Sequence, residues 1–322
     1  MTQTTTDYQR AGTDWFCAAR WGVFTHYLAA NDISADDWNR QVDQFDVQAL
    51  AAQLAAAGAT YYFITIGQNS GHYCAPNAAY DGFATRGIHP SKCSQRDLIS
   101  DLYEALAPRG IRLLVYLPSG APAADPVAMQ RLEWQWGFEG DWPGAWNTVR
   151  TGRRLESFQR KWESVMREWS LRWGRKIGGW WIDGCYFADE MYRHADAPNF
   201  RTFAAALKAG NADSIVAFNP GVSVPVISHS EFEDYTAGEI SDAFPVCPGR
   251  WVNGAQYHIL SYLGDWWGGG QPRFTDGFVR GYTEYVNSRG GVVTWDVPIS
   301  KDGVIPQLFV DQLASLSTNH HE

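Results

Sequence analysis

Short apolar runs rich in β-branched and aromatic residues recur along the chain: "WGVFTHY", "TYYFITI", "IRLLVYL", "IGGWWID", "SIVAFNP", "YHILSYL" and "GGVVTWDVP". Each is nearly continuous and not alternating, as expected for parallel strands covered on both faces. "EISDAFPV", residues 239–246, is a weaker run, but it fills the one gap in the alternation and is expected to supply the remaining strand. Between the runs lie amphipathic segments. "DVQALAAQLAAAG", "QRDLISDLYEALAPRG" and "LESFQRKWESVMREWSLRWG" end on Gly58, Gly110 and Gly174, where a left-handed residue after a helix carries no Cβ clash. "NFRTFAAALKAG", "TDGFVRGYTEYVNSRG" and "PQLFVDQLAS" continue the series.

About eight β/α units without a linker predict a single-domain α/β fold, a (β/α)8 barrel of the TIM type. The barrel is expected over residues 13–316, with tails at 1–12 and 317–322. A doubly wound sheet is the alternative, weakened because no GxGxxG follows the first strand. A chain of 322 residues that is 45% hydrophobic can bury one large core. The longest connection, from Pro118 to about Arg154, carries Trp134, Trp136, Trp142 and Trp146 and would overhang the face where barrel active sites sit. There is no internal repeat or low-complexity segment.

Charge and composition narrow the partners. A net charge of -9 and the lack of a basic run exclude a nucleic-acid footprint and point to a neutral small-molecule or oligosaccharide substrate. The amino terminus lacks the basic and apolar regions of a secretory signal, and no stretch has the length of a membrane span, so a cytoplasmic protein without a membrane partner is expected. Five scattered cysteines, without CxxC spacing, read as reduced and structural. The 16 tryptophans, many beside Gly, Asp or Pro as in "GFEGDWPGAW" and "LGDWWGGGQPRF", suit sugars, which offer C–H faces and hydroxyl edges. Core plugging is the competing reading for each ring.

On a barrel, residues that close strands project into the ligand-binding mouth. The collected set is His26 after strand one; Gln68, Asn69 and His72 after strand two; Tyr116 on strand three; Trp181 and Asp183 on strand four; and Asn219 after strand five. It continues with Glu239 near strand six, Gln256, His258, Asp265, Trp266 and Trp267 around strand seven, and Trp295 and Asp296 on strand eight. Such a carboxylate- and amide-rich mouth suits glycoside hydrolysis, which needs one acid to attack or stabilise the anomeric carbon and another to protonate the leaving oxygen. Asp183 is the candidate nucleophile; its competing role is to cap the turn in "DGCYF". Metal hydrolysis would need clustered ligands such as HxH or HExxH, and none occurs; no GxSxG elbow or Walker-type loop is present either. The His320–His321 pair sits at the chain end.

"DWFCAARWGVFTHYL" resembles the opening of glycoside hydrolase family 29, the α-L-fucosidases, in which a WF…(K/R)FGIF-x-H-W-G stretch delivers a sugar-binding His; His26 matches it. "FDVQALAAQLAAAGATYYFIT" is similar to the family's helix into strand two, "QRDLISDL" to its R-D-L helix, and "NSRGGVVTWDVPISKDGVIP" to its G-G-N-L-L-L-N-I-G-P-x-x-D-G-x-I-P ending. The resemblance implies that Asp183 is the nucleophile. It also implies an acid/base at Glu239, from "DYTAGE" against the family's D-(F/Y)-x-T-x-E, with Thr236 displaced by one; Glu231 and Glu233 compete. The chain departs from the family where K-H-H-D-G-F becomes "GQNSGHY", where an Arg after strand five becomes Asn219, and where the last-strand Asn becomes Trp295 or Asp296. No segment corresponds to the family's C-terminal β-sandwich, which leaves barrel surface that a second subunit can cover.

A retaining exo-glycosidase that needs no metal or organic cofactor is therefore expected, with specificity for fucose or another sugar. The alternative is a non-catalytic sugar-binding barrel. An inverting hydrolase stays open until the separation of the carboxyl groups is known.

Overall fold

A computed structural model describes residues 9–134, 154–186 and 188–317, with the short strand pieces 137–138 and 148–149. Residues 1–8 and 318–322 of the expected tails, Trp136, Trp142, Trp146 and the His320–His321 pair lie outside the described residues.

Seven strands, β1 (Trp21–Thr25), β2 (Tyr61–Thr65), β3 (Arg112–Pro118), β4 (Ile177–Asp183), β5 (Ile215–Phe218), β6 (His258–Tyr262) and β7 (Val292–Asp296), coincide with the seven strong apolar runs. They form one parallel sheet in the order β6-β7-β1-β2-β3-β4-β5, curled with helices around it. The six helices read from the sequence appear as Val47–Ala57, Leu98–Leu106, Glu156–Trp173, Phe200–Leu207, Asp276–Ser288 and Gln307–Ala314. Polar caps start several of them: Asp46 accepts from the amides of Gln48 and Ala49, and Asn199 forms a capping box with Thr202. Gly58 (φ 78°) closes the first of these helices in the left-handed region, as expected. A nine-residue helix, Ala35–Asp43, is absent from the sequence expectation; only Trp38 and Val42 on it are buried, too sparse a stripe to read.

The closed eight-stranded ladder is not formed. Between β5 and β6 runs Asp234–Ile240, joined to β6 and the residues just before it by single bridges at Tyr235/Gln256 and Glu239/Leu260. The amide of Leu260 donates to the Gly238 carbonyl at 2.9 Å, and that of Ile240 to the Leu260 carbonyl at 3.0 Å. Toward β5, carboxylates stand in for backbone acceptors: Asp234 takes the Val216 amide at 2.8 Å and Glu233 that of Phe218 at 3.3 Å. The expected strand "EISDAFPV" is corrected accordingly. Only its first two residues lie in this slot, and beyond Ile240 the chain has no regular element until Trp251. Gly238 (φ 62°) makes the close approach feasible, because a Cβ there would lie 1.9 Å from the His258 carbonyl oxygen.

Period-two alternation divides the core into two layers. Phe24, Tyr61, Phe63, Tyr116, Trp181 and Leu260 fill the inside of the curled sheet, and Tyr235 and Ala237 from the gap-filling segment join them. Phe16, on the short helix Asp14–Ala19, plugs the floor with ring centroids 5.0 Å from Tyr61, 5.1 Å from Tyr235 and 5.4 Å from His258. The neighbouring strand residues face outward to the helices. Trp180 meets Trp173, and the Trp295 indole donates to Thr283 at 3.0 Å. Residues 10 and 11 are also tied down, Arg10 to the Glu233 carbonyl and the Ala11 amide to Asp234.

Candidate active site

Asp183 is the last residue of β4, and its carboxylate gathers donors from three directions. Oδ1 accepts from the Gly184 amide at 2.8 Å and from Asn219 Nδ2 at 2.9 Å, with the Tyr186 hydroxyl at 3.4 Å. Oδ2 accepts from the Tyr116 hydroxyl at 2.6 Å, and Tyr116 in turn accepts from Gln68 Nε2 at 2.6 Å. The turn-capping contact read from "DGCYF" therefore exists, through one oxygen only, while the carboxylate also borders a cavity. Tyr116 is held by near-parallel stacking on Trp181, with centroids 5.5 Å apart and planes at 17°. Burial and the neighbouring Asp183 charge both push its hydroxyl well above the ordinary range, so it stays a donor.

Glu239 comes from the segment that fills the gap in the sheet. Its Oε2 accepts from the same Asn219 Nδ2, at 2.6 Å, so one amide group ties the two acids together. Burial, reinforced by the Asp183 charge, raises the Glu239 carboxyl to about 7, against the lowering effects of the Asn219 hydrogen bond and of His26. The competing glutamates are elsewhere. Glu233 is fully buried behind β5, accepting from the amides of His229 and Phe218, and Glu231 is exposed; neither lines the cavity.

The cavity measures about 570 Å³ at the C-terminal ends of the strands. His26, Gln68, Asn69 and Tyr116 line it from the β1–β3 side, and Trp181 and Asp183 from β4. Glu239, Trp266 and Trp267 line it from the other side. His26 Nδ1 lies 2.8 Å from Asp296 Oδ1. With Asp296 as the acceptor, the hydrogen belongs on Nδ1 and Nε2 is left for the cavity. Asp296 Oδ2 accepts from the Gly268 amide at 2.5 Å, which fixes the turn carrying Trp267, whose ring centre is 5.9 Å from His26. Asp296 is fully buried, which raises its carboxyl against the lowering effect of His26.

Other residues gathered from the sequence sit away from the cavity. His258 opens β6 instead of closing it, so it lies in the interior near the floor, bonded to the Thr236 carbonyl and the Thr294 hydroxyl; burial lowers it to about 4. Gln256, just before it, is bonded to Arg250 and the Gly290 carbonyl. Trp295 faces the helices because it precedes the inward Asp296 by one position. Asp265 closes the turn after β6 through the Gln271 amide. His72 is buried against Trp38, with neither ring nitrogen hydrogen-bonded, and burial lowers it to about 4. Asn219 does not line the cavity surface but stands directly behind both acids. Trp134, expected to overhang the mouth, is buried and packs on Phe158.

Several lining residues were not picked out from the sequence: Phe24, Leu28, Tyr186, Val222, Ser241 and Leu260. Tyr186, three residues past Asp183, and Val222, at the end of "FNPGV", lay in segments already singled out. Phe24 and Leu260 follow from strand parity alone. Among the described residues, no group of three or more His, Cys, Asp or Glu side chains could hold a metal ion, and no helix is long and apolar enough to cross a membrane.

No family model matches the chain, and no curated protein matches it. Solved structures do. The endo-fucoidan hydrolase MfFcnA4 of glycoside hydrolase family 107 aligns with a TM-score of 0.68 at 18% identity, covering 94% of this chain and 53% of its own. This chain thus spans about half the length of that protein. The α-L-fucosidase isoenzyme 1 from Paenibacillus thiaminolyticus aligns with a TM-score of 0.57 at 18% identity, covering 94% of this chain and 74% of that one. For α-L-fucosidase AlfC from Lactobacillus casei, in complex with α-L-fucose, the TM-score is 0.62 at 16% identity, with 94% and 96% covered. The chain has an α-L-fucosidase-like fold, as its motifs suggested.

Proposed function

We propose that this protein is a retaining exo-glycoside hydrolase that releases a terminal sugar of the α-L-fucose type, with Asp183 as nucleophile and Glu239 as acid/base. The observation that carries the proposal is the shared amide of Asn219. Its contacts of 2.9 and 2.6 Å bring one carboxyl oxygen of Asp183 and one of Glu239 to the same amide nitrogen, so both acids face one cavity, a closeness that a retaining pair requires. Retaining glycosidases hold their carboxyl groups about 5–5.5 Å apart, and inverting ones about 6.5–9.5 Å, to leave room for a water. The likeness in fold to enzymes whose names specify fucose or fucoidan supports the choice of sugar.

The environments of the two acids suit divided roles. Asp183 collects several hydrogen-bond donors that hold its carboxylate in place, and Oδ2 with one donor keeps a lone pair for attack. Glu239 has one hydrogen bond and a carboxyl raised to about 7, so it can carry a proton at near-neutral pH. In the first step Asp183 Oδ2 bonds to the anomeric carbon as the glycosidic C–O bond breaks, and the Glu239 proton passes to the leaving oxygen. In the second, Glu239 takes a proton from water as the water oxygen attacks the anomeric carbon and frees Asp183. His26 Nε2, Gln68 and Asn69 offer hydrogen bonds to sugar hydroxyls, and Trp181 and Trp267 offer flat faces to its C–H surface.

A screen of aryl α- and β-glycosides, starting from L-fucose and its stereochemical relatives, tests the proposal. Turnover of at least one, lost in Asp183→Asn, is expected. Binding of a sugar without any turnover would replace the reading with that of a non-catalytic sugar-binding barrel.

A further inference from the structure

Resting on the hydrolase reading above, we infer that the group cleaved from the sugar is apolar and uncharged, received by a rim built from Tyr186, Val222 and Trp266. The polar and apolar walls of the cavity are segregated. Histidine and amide side chains, His26, Gln68 and Asn69, come from the β1–β3 side, where Phe24 and Leu28 are apolar exceptions, and Ser241 is a polar one on the Glu239 side. The acid that must meet the leaving oxygen, Glu239, lies between the loop after β5, which carries Val222, and the loop after β6, which carries Trp266. A group held at the Glu239 side of the cavity is therefore flanked by these two loops.

Both loops hold apolar surface open to solvent. Trp266 is 63% exposed although it lines the cavity, and Val222 is 56% exposed. The turn bearing Trp266 is closed by paired contacts between Trp266 and Gly269 and by Asp265 on the Gln271 amide, so the ring is presented by a fixed backbone. Opposite it, Gly221 lies so close to the Tyr186 ring that a Cβ there would come within 3.3 Å, giving a continuous wall of ring, glycine and valine. Val224 and Ile227, 48% and 42% exposed, extend the apolar character of that loop. Apolar surface kept in water beside a functional cavity marks a binding surface. No lysine or arginine appears among the described lining residues, so an anionic leaving group would meet the Asp183 charge with neither of them to offset it.

The test compares methyl and n-hexyl glycosides of whichever sugar the screen identifies, since the two alcohols are closely matched as leaving groups. Burial of about two extra methylenes is worth on the order of tenfold. The expected result is a hexyl-to-methyl ratio of kcat/KM of about ten or more in the native protein, collapsing toward one in a Trp266→Ala, Val222→Ser double variant. Equal kcat/KM for the two glycosides in the native protein, or a ratio untouched by the double variant, overturns the apolar rim and leaves the hydrolase intact. If the screen turns over no glycoside at all, the hydrolase reading fails. Equilibrium binding of the same pair, followed by tryptophan fluorescence, then still decides whether the rim prefers the hexyl chain.

Discussion

The amide nitrogen of Asn219 stands 2.6 Å from Oε2 of Glu239, and its other hydrogen is given to Asp183 at 2.9 Å. A single neutral group thus holds two acids that would otherwise repel one another. Its own carbonyl oxygen accepts from the Gly221 amide at 3.0 Å, which sets which end of the amide faces the acids. Asn219→Ala should lower kcat/KM by about 10- to 100-fold, the loss expected when hydrogen bonds to charged groups are removed. Thermal unfolding close to native would show that the loss is not one of folding. Unchanged kcat/KM in a folded variant would remove Asn219 from the account.

The pH profile follows from the direction of the Glu239 shift. Burial and the Asp183 charge raise it to about 7, and the first step needs it protonated, so kcat/KM should fall as pH rises past about 7. In Glu239→Gln this alkaline limb should vanish. Turnover of alkyl glycosides, which need protonation of the departing oxygen, should drop by about 10²- to 10⁴-fold. Aryl glycosides with acidic leaving groups should lose much less in the first step. Equal losses for both classes would assign the acid to another residue.

Asp296 fixes the His26 ring through one oxygen and the Trp267 turn through the other, so it acts on substrate through its neighbours. Asp296→Asn should raise KM about tenfold while kcat changes less, because ground-state grip is lost and the two acids stay in place. A fall in kcat alone, with KM unchanged, would contradict this role.

Glu233 supplies a stability prediction independent of catalysis. Burial raises its carboxyl from 4.5 to about 8, so between these values the folded state holds a proton that the unfolded state releases. Its contribution to stability is therefore full below about pH 4.5 and declines as pH rises toward 8, by up to about 1.4 kcal/mol per pH unit. Glu233→Gln cannot ionise and should lose less melting temperature than the native protein between pH 5 and pH 8. Parallel losses in the two proteins would show that Glu233 does not titrate as described.

How much of this was legible in the sequence depends on what carried the signal. The seven strands were visible because burial on both faces demands continuous apolar runs, and the main helices because their apolar stripes and caps are regular. The segment Asp234–Ile240 was not read as occupying the strand slot, because its order is maintained by carboxylates bonded to backbone amides and by Gly238, and not by apolarity. The apolar stretch beyond it, with Phe244 and Pro245, imitated a strand. Asp183 and Glu239 were reached by their position and by family resemblance. His258, Gln256 and Trp295 were gathered with them because proximity to a strand was counted without its direction or parity: a residue that opens a strand faces the floor, and one next to an inward residue faces the helices. The joining role of Asn219 had no sequence signal, since it depends on two segments brought together only by the fold.

The account stands on Asp183 as the atom donor to the anomeric carbon, and trapping the covalent intermediate tests this most directly. With a slow-turnover fluorinated glycoside of the sugar found in the screen, intact-protein mass spectrometry should show one added glycosyl group, and peptide mapping should put it on Asp183. Mapping of the sugar to any other side chain, or release of inverted product without an adduct, would contradict the account.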